Sequence, residues 1–288
     1  MPQSITQAFV VQWDKQIRLQ TQQHESRLVS TVTDRGSITG ESFTANMLAP
    51  LEDTPENTVR HGDTTWSDAQ HSTRVALMRD FYQALPVDRN DEPKLLANPL
   101  SGSYNASLIA AHNRRKDRIV FGALLNPANL KEGGTVALPS EQKILAGSDG
   151  FTKAKLITAR KIFRKNEADN HDGEELYIIY NSDMLDDILS DTTLTSADFM
   201  AVKMLQEGDV SKKWMGFNWI PYEGILVEGS VATTVAYAKS ACHFGTGFVE
   251  GKANRRPDKK DLMQVSMAAS HGATRVDEKR VVSIAFNI

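Results

Sequence analysis

Cys242 and His243 are the residues whose types and spacing come closest to nucleophilic chemistry. A thiolate next to an imidazole base can attack a carbonyl carbon. Adjacent residues of a strand point to opposite faces, so the two side chains diverge if this segment is extended. A buried structural cysteine is therefore the favoured interpretation, and the sequence contains no Gly-x-Ser-x-Gly elbow to suggest a serine hydrolase instead.

Four carboxylates on one short predicted helix could supply a general acid and a general base. They are Asp183, Asp186, Asp187 and Asp191. A row of charged residues is also what the solvated face of an amphipathic helix requires. We therefore favour a solvated helix face over an acid–base pair for this segment.

Three further segments resemble ligand-binding motifs, and each departs from its pattern. Residues 245–252 resemble a phosphate-binding loop, but Thr246 stands where the first glycine is needed, so a turn between strands is favoured. His24 begins a zinc-protease pattern that lacks its second histidine. Residues 169–175 resemble a calcium loop, but Ile179 would have to be the bidentate ligand. We therefore expect no metal and no cofactor.

The composition excludes several classes of protein. The 288 residues carry 33 basic and 36 acidic side chains, and the net charge of −3 argues against a dedicated nucleic-acid binder. The single cysteine cannot form an intrachain disulfide or a multi-cysteine metal site. The longest apolar run, residues 119–125, is too short to cross a membrane, and no signal-peptide pattern is visible. Hydrophobic residues make up 40%, slightly below the usual range, which predicts that part of the chain lies outside a core.

The N-terminal part of the chain is polar and predicts projecting segments. In residues 1–37, Phe9, Trp13 and Ile17 fall at helical spacing and predict a short helix in an arm that ends in a strand and a turn. Residues 38–85 predict two long strands joined by a polar tip. An isolated hairpin is marginally stable in water, so we expect this one to lie on another surface.

The strongest helix signal covers residues 99–126, where apolar and small residues recur every three or four positions from Tyr104. Pro127 ends the pattern. At 1.5 Å per residue such a helix is roughly 36 Å long. Its middle, residues 112–118, is basic and could contact nucleic acid. Asp117 within it and the net charge of −3 favour pairing within the chain or between subunits instead.

The remainder of the chain predicts a mixture of helices and strands. The predicted elements are a helix capped by Thr152, a strand at 176–180, short helices capped by Ser182 and Ser196, strands at 214–220 and 233–238, and a last strand at 280–288 with one buried face. Secondary structure is thus predicted along most of the chain without an active-site constellation. Together with the arm and the unsupported hairpin, this favours a protein that assembles with copies of itself.

Five short segments carry a family resemblance through their order and spacing. They are Val136-Ala137-Leu138-Pro139, Thr195-Ser196-Ala197-Asp198-Phe199, Met215-Gly216-Phe217-Asn218-Trp219, Arg256-Pro257-Asp258-Lys259 and Gly272-Ala273-Thr274-Arg275. In this order the chain resembles the tailed-bacteriophage major capsid proteins with the Hong Kong 97 fold. The resemblance covers most of residues 30–288 and rests on packing and turn signals rather than on any single motif.

The resemblance implies an α+β architecture with four parts. These are an N-terminal arm at 1–37, an extended hairpin loop at 38–85, a peripheral domain at 86–135 and 239–288 that contains a long spine helix at 101–126, and an axial domain at 136–238. It also implies that loop residues 221–233 lie near the centres of hexamers and pentamers.

The function implied by the resemblance is structural and not enzymatic. The subunit would self-assemble into hexamers and pentamers of an icosahedral head that encloses double-stranded DNA without sequence-specific binding. The implied partners are a scaffolding protein and a portal during assembly, and the resemblance also allows a cement protein. The implied location is the virion, after assembly in the host cytoplasm and without a membrane. Some relatives join subunits by a Lys–Asn isopeptide bond, which we do not predict here.

Charged and aromatic residues are the candidates for contacts between subunits. They are Arg60, Trp66, Asp68, Arg74, Arg114 and Arg115. Two alternative functions stay open at this point. One is an encapsulin-like shell subunit, and the other is a soluble α/β hydrolase that would use Cys242 or the carboxylates of residues 183–191.

Overall fold

The computed structural model of the chain describes residues 20–51, 53–54, 56, 62–63, 66–89, 103–169, 171, 173–190 and 213–288. The helices in this part of the chain are α1 (Ser103–Leu125), α2 (Lys153–Lys165) and α3 (Ser182–Ser190). The strands are β1 (Thr33–Ser37), β2 (Ser42–Leu48), β3 (His71–Leu77), β4 (Arg79–Val87), β5 (Ala128–Leu130), β6 (Thr135–Val136), β7 (Lys143–Ile144), β8 (Leu176–Tyr180), β9 (Lys213–Trp214), β10 (Phe217–Pro221), β11 (Leu226–Glu228), β12 (Val231–Ala238), β13 (Cys242–Arg256), β14 (Leu262–Arg275) and β15 (Val281–Asn287).

The chain divides into two compact units. The described residues of the first unit are 20–25, 81–89, 103–114 and 249–269, and the second unit takes the described residues of 26–80, 115–248 and 270–288. Within the first unit, the Asn113 side chain donates to the carbonyl of His24 at 2.8 Å, and Gln264 donates to the Tyr82 hydroxyl. The hydrophobic core formed by the described residues lies in the second unit.

A seven-stranded mixed sheet organises that core. Its order is β7-β15-β12-β8-β10-β9. The seventh strand, β11, pairs with the beginning of β12, whereas β8 pairs with the end of β12. The terminal strand β15 therefore lies inside the sheet, parallel to β7 and antiparallel to β12. The prediction of one buried face for this strand is wrong, because Val281 and Ser283 are buried as well as Val282 and Ile284. Because both faces of the sheet are covered at this strand, β15 lacks the solvent-exposed polar face that an alternating pattern predicts.

The three helices agree with the sequence in position and differ at their caps. Helix α1 confirms the predicted spine helix and ends just before Pro127. Thr152 stands at the N-cap of α2, but its side chain makes no capping hydrogen bond. At α3 the cap is Asn181 rather than the predicted Ser182, since the Asn181 side-chain oxygen accepts from the Met184 N–H at 3.0 Å.

One predicted strand and one predicted turn differ from the structure. The predicted strand at 214–220 is a tight hairpin, in which Met215 (φ 49°) and Gly216 (φ 81°) form the turn between β9 and β10. Positive φ at both central residues is the geometry that a two-residue hairpin turn requires. The segment 245–252, for which a turn was predicted, instead continues as an extended part of β13.

The predicted hairpin is present, with a shorter second strand. β2 and β3 pair antiparallel from Ser42 opposite Leu77 to Leu48 opposite His71. They belong to a four-stranded sheet of order β2-β3-β5-β6. The second of the two long strands predicted within residues 38–85 ends at Leu77, and β4 begins two residues later in a separate sheet of order β1-β13-β14-β4.

Two predicted helices, at Phe9–Ile17 in the arm and after Ser196, lie outside the described residues. Among the described residues, no helix combines the length and the apolar character that crossing a membrane requires.

Candidate functional site

The outer part of the predicted β2–β3 hairpin exposes large apolar side chains. Along β2, Phe43 and Ala45 are buried, whereas Leu48 at the end of the strand is 56% exposed. Beyond the strands, Leu51 and Trp66 are 58% and 89% exposed. A solvent-exposed tryptophan is unusual on the surface of a monomeric protein and typical of a protein–protein interface.

The six candidate contact residues fall into different environments. Trp66, Asp68 and Arg115 are exposed, the first two beyond the hairpin strands and the third on α1. Arg114 is half-buried and donates to the Gln22 side-chain oxygen at 2.8 Å, so it already has a partner in its own chain. Arg60 lies outside the described residues. Trp66 and Asp68 are two positions apart in the same segment, whereas Arg115 lies on α1.

Arg74 lies inside the subunit instead of on its surface. Its guanidinium donates to the Glu278 carboxylate at 3.0 Å and to the Ser72 hydroxyl at 2.7 Å. Glu278 also faces the fully buried Arg275, at 3.7 Å from its Nε. Because a buried charge needs a partner, this pairing explains the residue without a second subunit.

Arg275 is a buried structural residue that the sequence analysis did not single out. Its guanidinium donates to the carbonyls of Leu124 at 2.8 Å and Asn126 at 3.0 Å, at the end of α1. It also donates to the carbonyl of Val136 at 2.8 Å. Carbonyls at a helix C-terminus lack partners within the helix, and a cation there satisfies both their hydrogen-bonding capacity and the helix dipole. Burial of this side chain lowers the pKa of Arg275.

Asp117 binds the segment that begins at Ser26, where the second unit starts. It is completely buried on α1, and its carboxylate accepts from the Ser26 hydroxyl at 2.6 Å. It also accepts from the backbone N–H groups of Arg27, at 3.0 Å, and Leu28, at 3.1 Å. The only sequence signal of this role is an acidic residue within a basic segment, which predicted pairing but not its partner.

We expect Asp117→Ala to destabilise the second unit by about 3 kcal/mol, because it leaves several buried donors without an acceptor. Urea unfolding followed by circular dichroism measures the loss, and limited proteolysis should cleave faster near Ser26. The matched control is Asp80→Ala, because Asp80 is an exposed carboxylate on β4. Equal unfolding midpoints for the two variants would contradict the anchoring role.

Cys242 and His243 do not form a catalytic pair. The Cys242 thiol is fully buried and lies near the backbone carbonyl of His243, not its ring. Burial raises the pKa of Cys242 from 9.0 to about 12. Burial and the nearby Arg35 lower the pKa of His243 to about 4, and Arg35 donates to its Nδ1 at 3.2 Å. The thiol therefore stays protonated at neutral pH, as the structural interpretation predicts.

We expect Cys242 to resist alkylation by iodoacetamide at pH 8 in the native protein and to react fully after unfolding in urea. Because the folded pKa of Cys242 lies above the unfolded value, the folded chain keeps a proton that the unfolded chain loses between pH 9.0 and about 12. This group's contribution to stability is therefore present below pH 9.0 and declines as the pH rises. Cys242→Ala should reduce that decline, and an unchanged pH dependence would contradict the assignment.

Two of the carboxylates of α3, Asp183 and Asp187, have structural partners rather than an acid–base arrangement, and Asp186 is exposed. Asp183 accepts from the Asn181 side chain at 2.6 Å. Asp187 accepts from the backbone N–H of Phe151 at 2.6 Å, which ties α3 to the segment before α2. Asp191 lies outside the described residues. Across the described part of the chain, no group of three or more potential ligands could hold a metal ion.

Several solved phage capsid structures are similar to this chain in fold. Mycobacterium phage Che8 matches with a TM-score of 0.68 at 17% identity, covering 96% of both chains. The capsid of cyanophage P-SCSP1u matches with a TM-score of 0.70 at 12% identity, over 99% of this chain and 94% of the other. The head of Helicobacter pylori bacteriophage KHP40 matches with a TM-score of 0.69 at 11% identity, over 99% and 97%. At these identities the likeness establishes the fold, which is that of a phage capsid subunit.

The family is established by sequence. The family model described as phage capsid protein matches residues 5–288, so the chain belongs to the phage capsid protein family. No curated protein sequence matches the chain significantly. The predicted Hong Kong 97 fold and the predicted capsid class are confirmed, and the protein is a structural component of the virion capsid rather than an enzyme.

Proposed function

We propose that the chain is the major capsid subunit that forms hexamers and pentamers of an icosahedral head around double-stranded DNA. The observation that carries the proposal is the β2–β3 hairpin with its exposed Leu48, Leu51 and Trp66. Within the described residues β2 is the edge strand of its sheet, so one row of its backbone groups faces away from the other strands. An exposed strand edge next to apolar side chains is suited to pairing with another chain.

The proposed division into parts follows the family resemblance, with two boundaries moved. The N-terminal arm is residues 1–37, and the peripheral domain includes residues 86–135. We assign β15 to the axial domain of 136–238, since β15 pairs with β7 and β12. We also restrict the hairpin loop of residues 38–85 to its part before β4, because β4 joins a different sheet. The peripheral domain then consists of residues 79–135 and 239–280.

The contacts between subunits are proposed to use Trp66, Asp68 and Arg115, which are exposed. Arg74 and Arg114 are left out of this surface because the first is buried and the second is half-buried. Many such contacts, each in a standard-size interface of about 1,600 Å², would stabilise the shell collectively. A scaffolding protein and a portal would take part in assembly in the host cytoplasm, and a cement protein could add to the outside.

Electron microscopy of the purified protein, alone and together with its scaffolding protein, tests the proposal. We expect closed shells built from rings of six and five subunits, and nuclease-protected double-stranded DNA in virions that contain this chain. A strictly monomeric protein under all assembly conditions would contradict it. Shells that hold a protein cargo and no DNA would instead identify an encapsulin-like compartment.

A further inference from the structure

Helix α2 has a concentrated positive charge on a chain whose net charge is −3. Its 13 residues include six cations and no acidic residue: Lys153, Lys155, Arg160, Lys161, Arg164 and Lys165. The opposite face of the helix, formed by Leu156, Ala159 and Phe163, is buried in the core. At 1.5 Å per residue the basic face extends for about 20 Å.

A cleft of about 380 Å³ lies on this basic face. It is lined by Ile157, Arg160, Lys161, Arg164, Asp169 and Met215. Three cations and one carboxylate line the cleft, so its net charge is +2. Arg164 donates to Asp169 at 2.6 Å and is still 61% exposed, while this hydrogen bond lowers the pKa of the Asp169 carboxyl.

Arg160 is held in place by the β9–β10 turn. Its guanidinium lies over the Phe217 ring, with 5.9 Å between Cζ and the ring centroid. A Cβ at Gly216 would lie 2.9 Å from that Cζ, so the glycine at this turn leaves the space that the guanidinium occupies. The Arg160 Nη1 is buried, and no hydrogen-bond partner for it is found among the described residues. The fold therefore holds this cation in place, and the Asp169 carboxylate is the acidic group near it in the cleft.

The lysines of α2 differ in whether they form hydrogen bonds within the subunit. Lys155 donates to the carbonyls of Ala146 and Gly150, both at 2.8 Å, and therefore belongs to the loop before the helix. Lys161 and Lys165 are exposed. No carboxylate in the described part of the chain pairs with either of them. These two ammonium groups remain available to a ligand outside the subunit.

We propose that the α2 cleft and the exposed lysines beside it bind the phosphate backbone of the packaged double-stranded DNA. The proposal rests on the function proposed above, and it assigns the α2 face of the subunit to the inside of the shell. Planar guanidinium groups and ammonium groups are the side chains that bind phosphates. Contacts to phosphates carry no base information, so binding is independent of DNA sequence.

An acidic protein segment is the other polyanion that could occupy the cleft, and the lining favours DNA. Protein interfaces are depleted in lysine at their centres and enriched in aromatic residues. DNA interfaces are polar and strongly basic. Here three of the six lining residues are cations, and none of the six is aromatic. The carboxylate of Asp169 within the cleft weakens the attraction, which suits DNA that must later leave the head.

The test measures binding of a fluorescent duplex of about 20 base pairs to the purified full-length subunit by anisotropy, from about 50 to 200 mM salt. We expect Lys161→Glu to lower the affinity about tenfold and to reduce the slope of log affinity against log salt by about 1. The control is Lys131→Glu, which makes the same change in net charge at an exposed lysine in the turn after β5. Lys131→Glu should bind DNA as the unmodified subunit does.

Equal DNA affinity of the two variants would overturn the proposal, because net charge alone would then explain the binding. A synthetic peptide of residues 51–68, which has five carboxylates and one arginine, serves as the acidic-segment probe. The DNA proposal is wrong if this peptide displaces the duplex, binds more tightly than the duplex does, and loses its binding in Lys161→Glu but not in Lys131→Glu. The cleft would then bind a segment of a neighbouring subunit. Electron micrographs of the same preparations distinguish this inference from the proposed function. If shells form but Lys161→Glu and Lys131→Glu bind DNA equally, only this inference is refuted. If the unmodified protein forms no shells, the proposed capsid assembly itself is refuted.

Discussion

Ile284→Asp is expected to prevent the second unit from folding. Ile284 is completely buried on β15, opposite Thr234 of β12 and Ile144 of β7. An ionised carboxylate there would have no cation partner among these neighbours, and the cost is expected to exceed about 5 kcal/mol. Since single domains are stable by about 5–15 kcal/mol, this change removes most or all of the stability. Expression in the soluble fraction and the near-ultraviolet circular dichroism spectrum measure the effect.

The matched control for this prediction is Ile288→Asp. Ile288 is the residue after the same strand and is 53% exposed, so the same chemical change there keeps the carboxylate in water. We expect soluble protein with the unfolding midpoint of the unmodified chain. A cooperatively folded Ile284→Asp protein would show that β15 is not a central strand of the core sheet.

Deletion of residues 52–68 is expected to abolish shell formation while the subunit stays folded. The deletion removes Trp66 and Asp68 but leaves the pairing of β2 with β3 intact, since that pairing ends at Leu48 and His71. Because the entropic cost of loop closure depends only weakly on loop length, we expect the free energy of unfolding to change by less than about 1 kcal/mol. Sedimentation velocity and electron microscopy measure assembly, and thermal unfolding measures the fold.

A second variant separates the length of this segment from its side chains. In it, residues 52–68 are replaced by the same number of glycines and serines, so that the span is kept and the contacts are lost. We expect this variant to fail in assembly as the deletion does. Normal shells from the replacement would mean that only the reach of the segment matters, and normal shells from the deletion would refute the role of the hairpin in assembly.

Local patterns were sufficient to predict the elements whose formation depends on nearby residues. The repeat of apolar and small residues up to Pro127 predicted α1, and the apolar run at 176–180 predicted β8. The alternating segments around a polar tip predicted the β2–β3 hairpin. These elements follow from helical periodicity, continuous apolar character and turn chemistry, which act over a few residues.

Predictions failed where distant residues decide the outcome. The strand pattern at 280–288 predicted one buried face, but β15 is inserted between β7 and β12 and both of its faces are covered. The cap of α3 is Asn181 because its oxygen is the one in reach of the Met184 N–H. The turn at Met215 and Gly216 is built around Arg160, which lies more than fifty positions earlier in the chain.

The same distinction holds for the functional residues. The sequence by itself determined that this protein has no recognisable catalytic motif, because residue types and spacing are local properties. Only the tertiary structure decided that Arg74 is buried against Glu278 while Trp66 stays exposed. It also placed Arg160, Lys161 and Arg164 around one cleft. Burial and charge pairing depend on which segments meet in space, and that information is not contained in any short stretch of the chain.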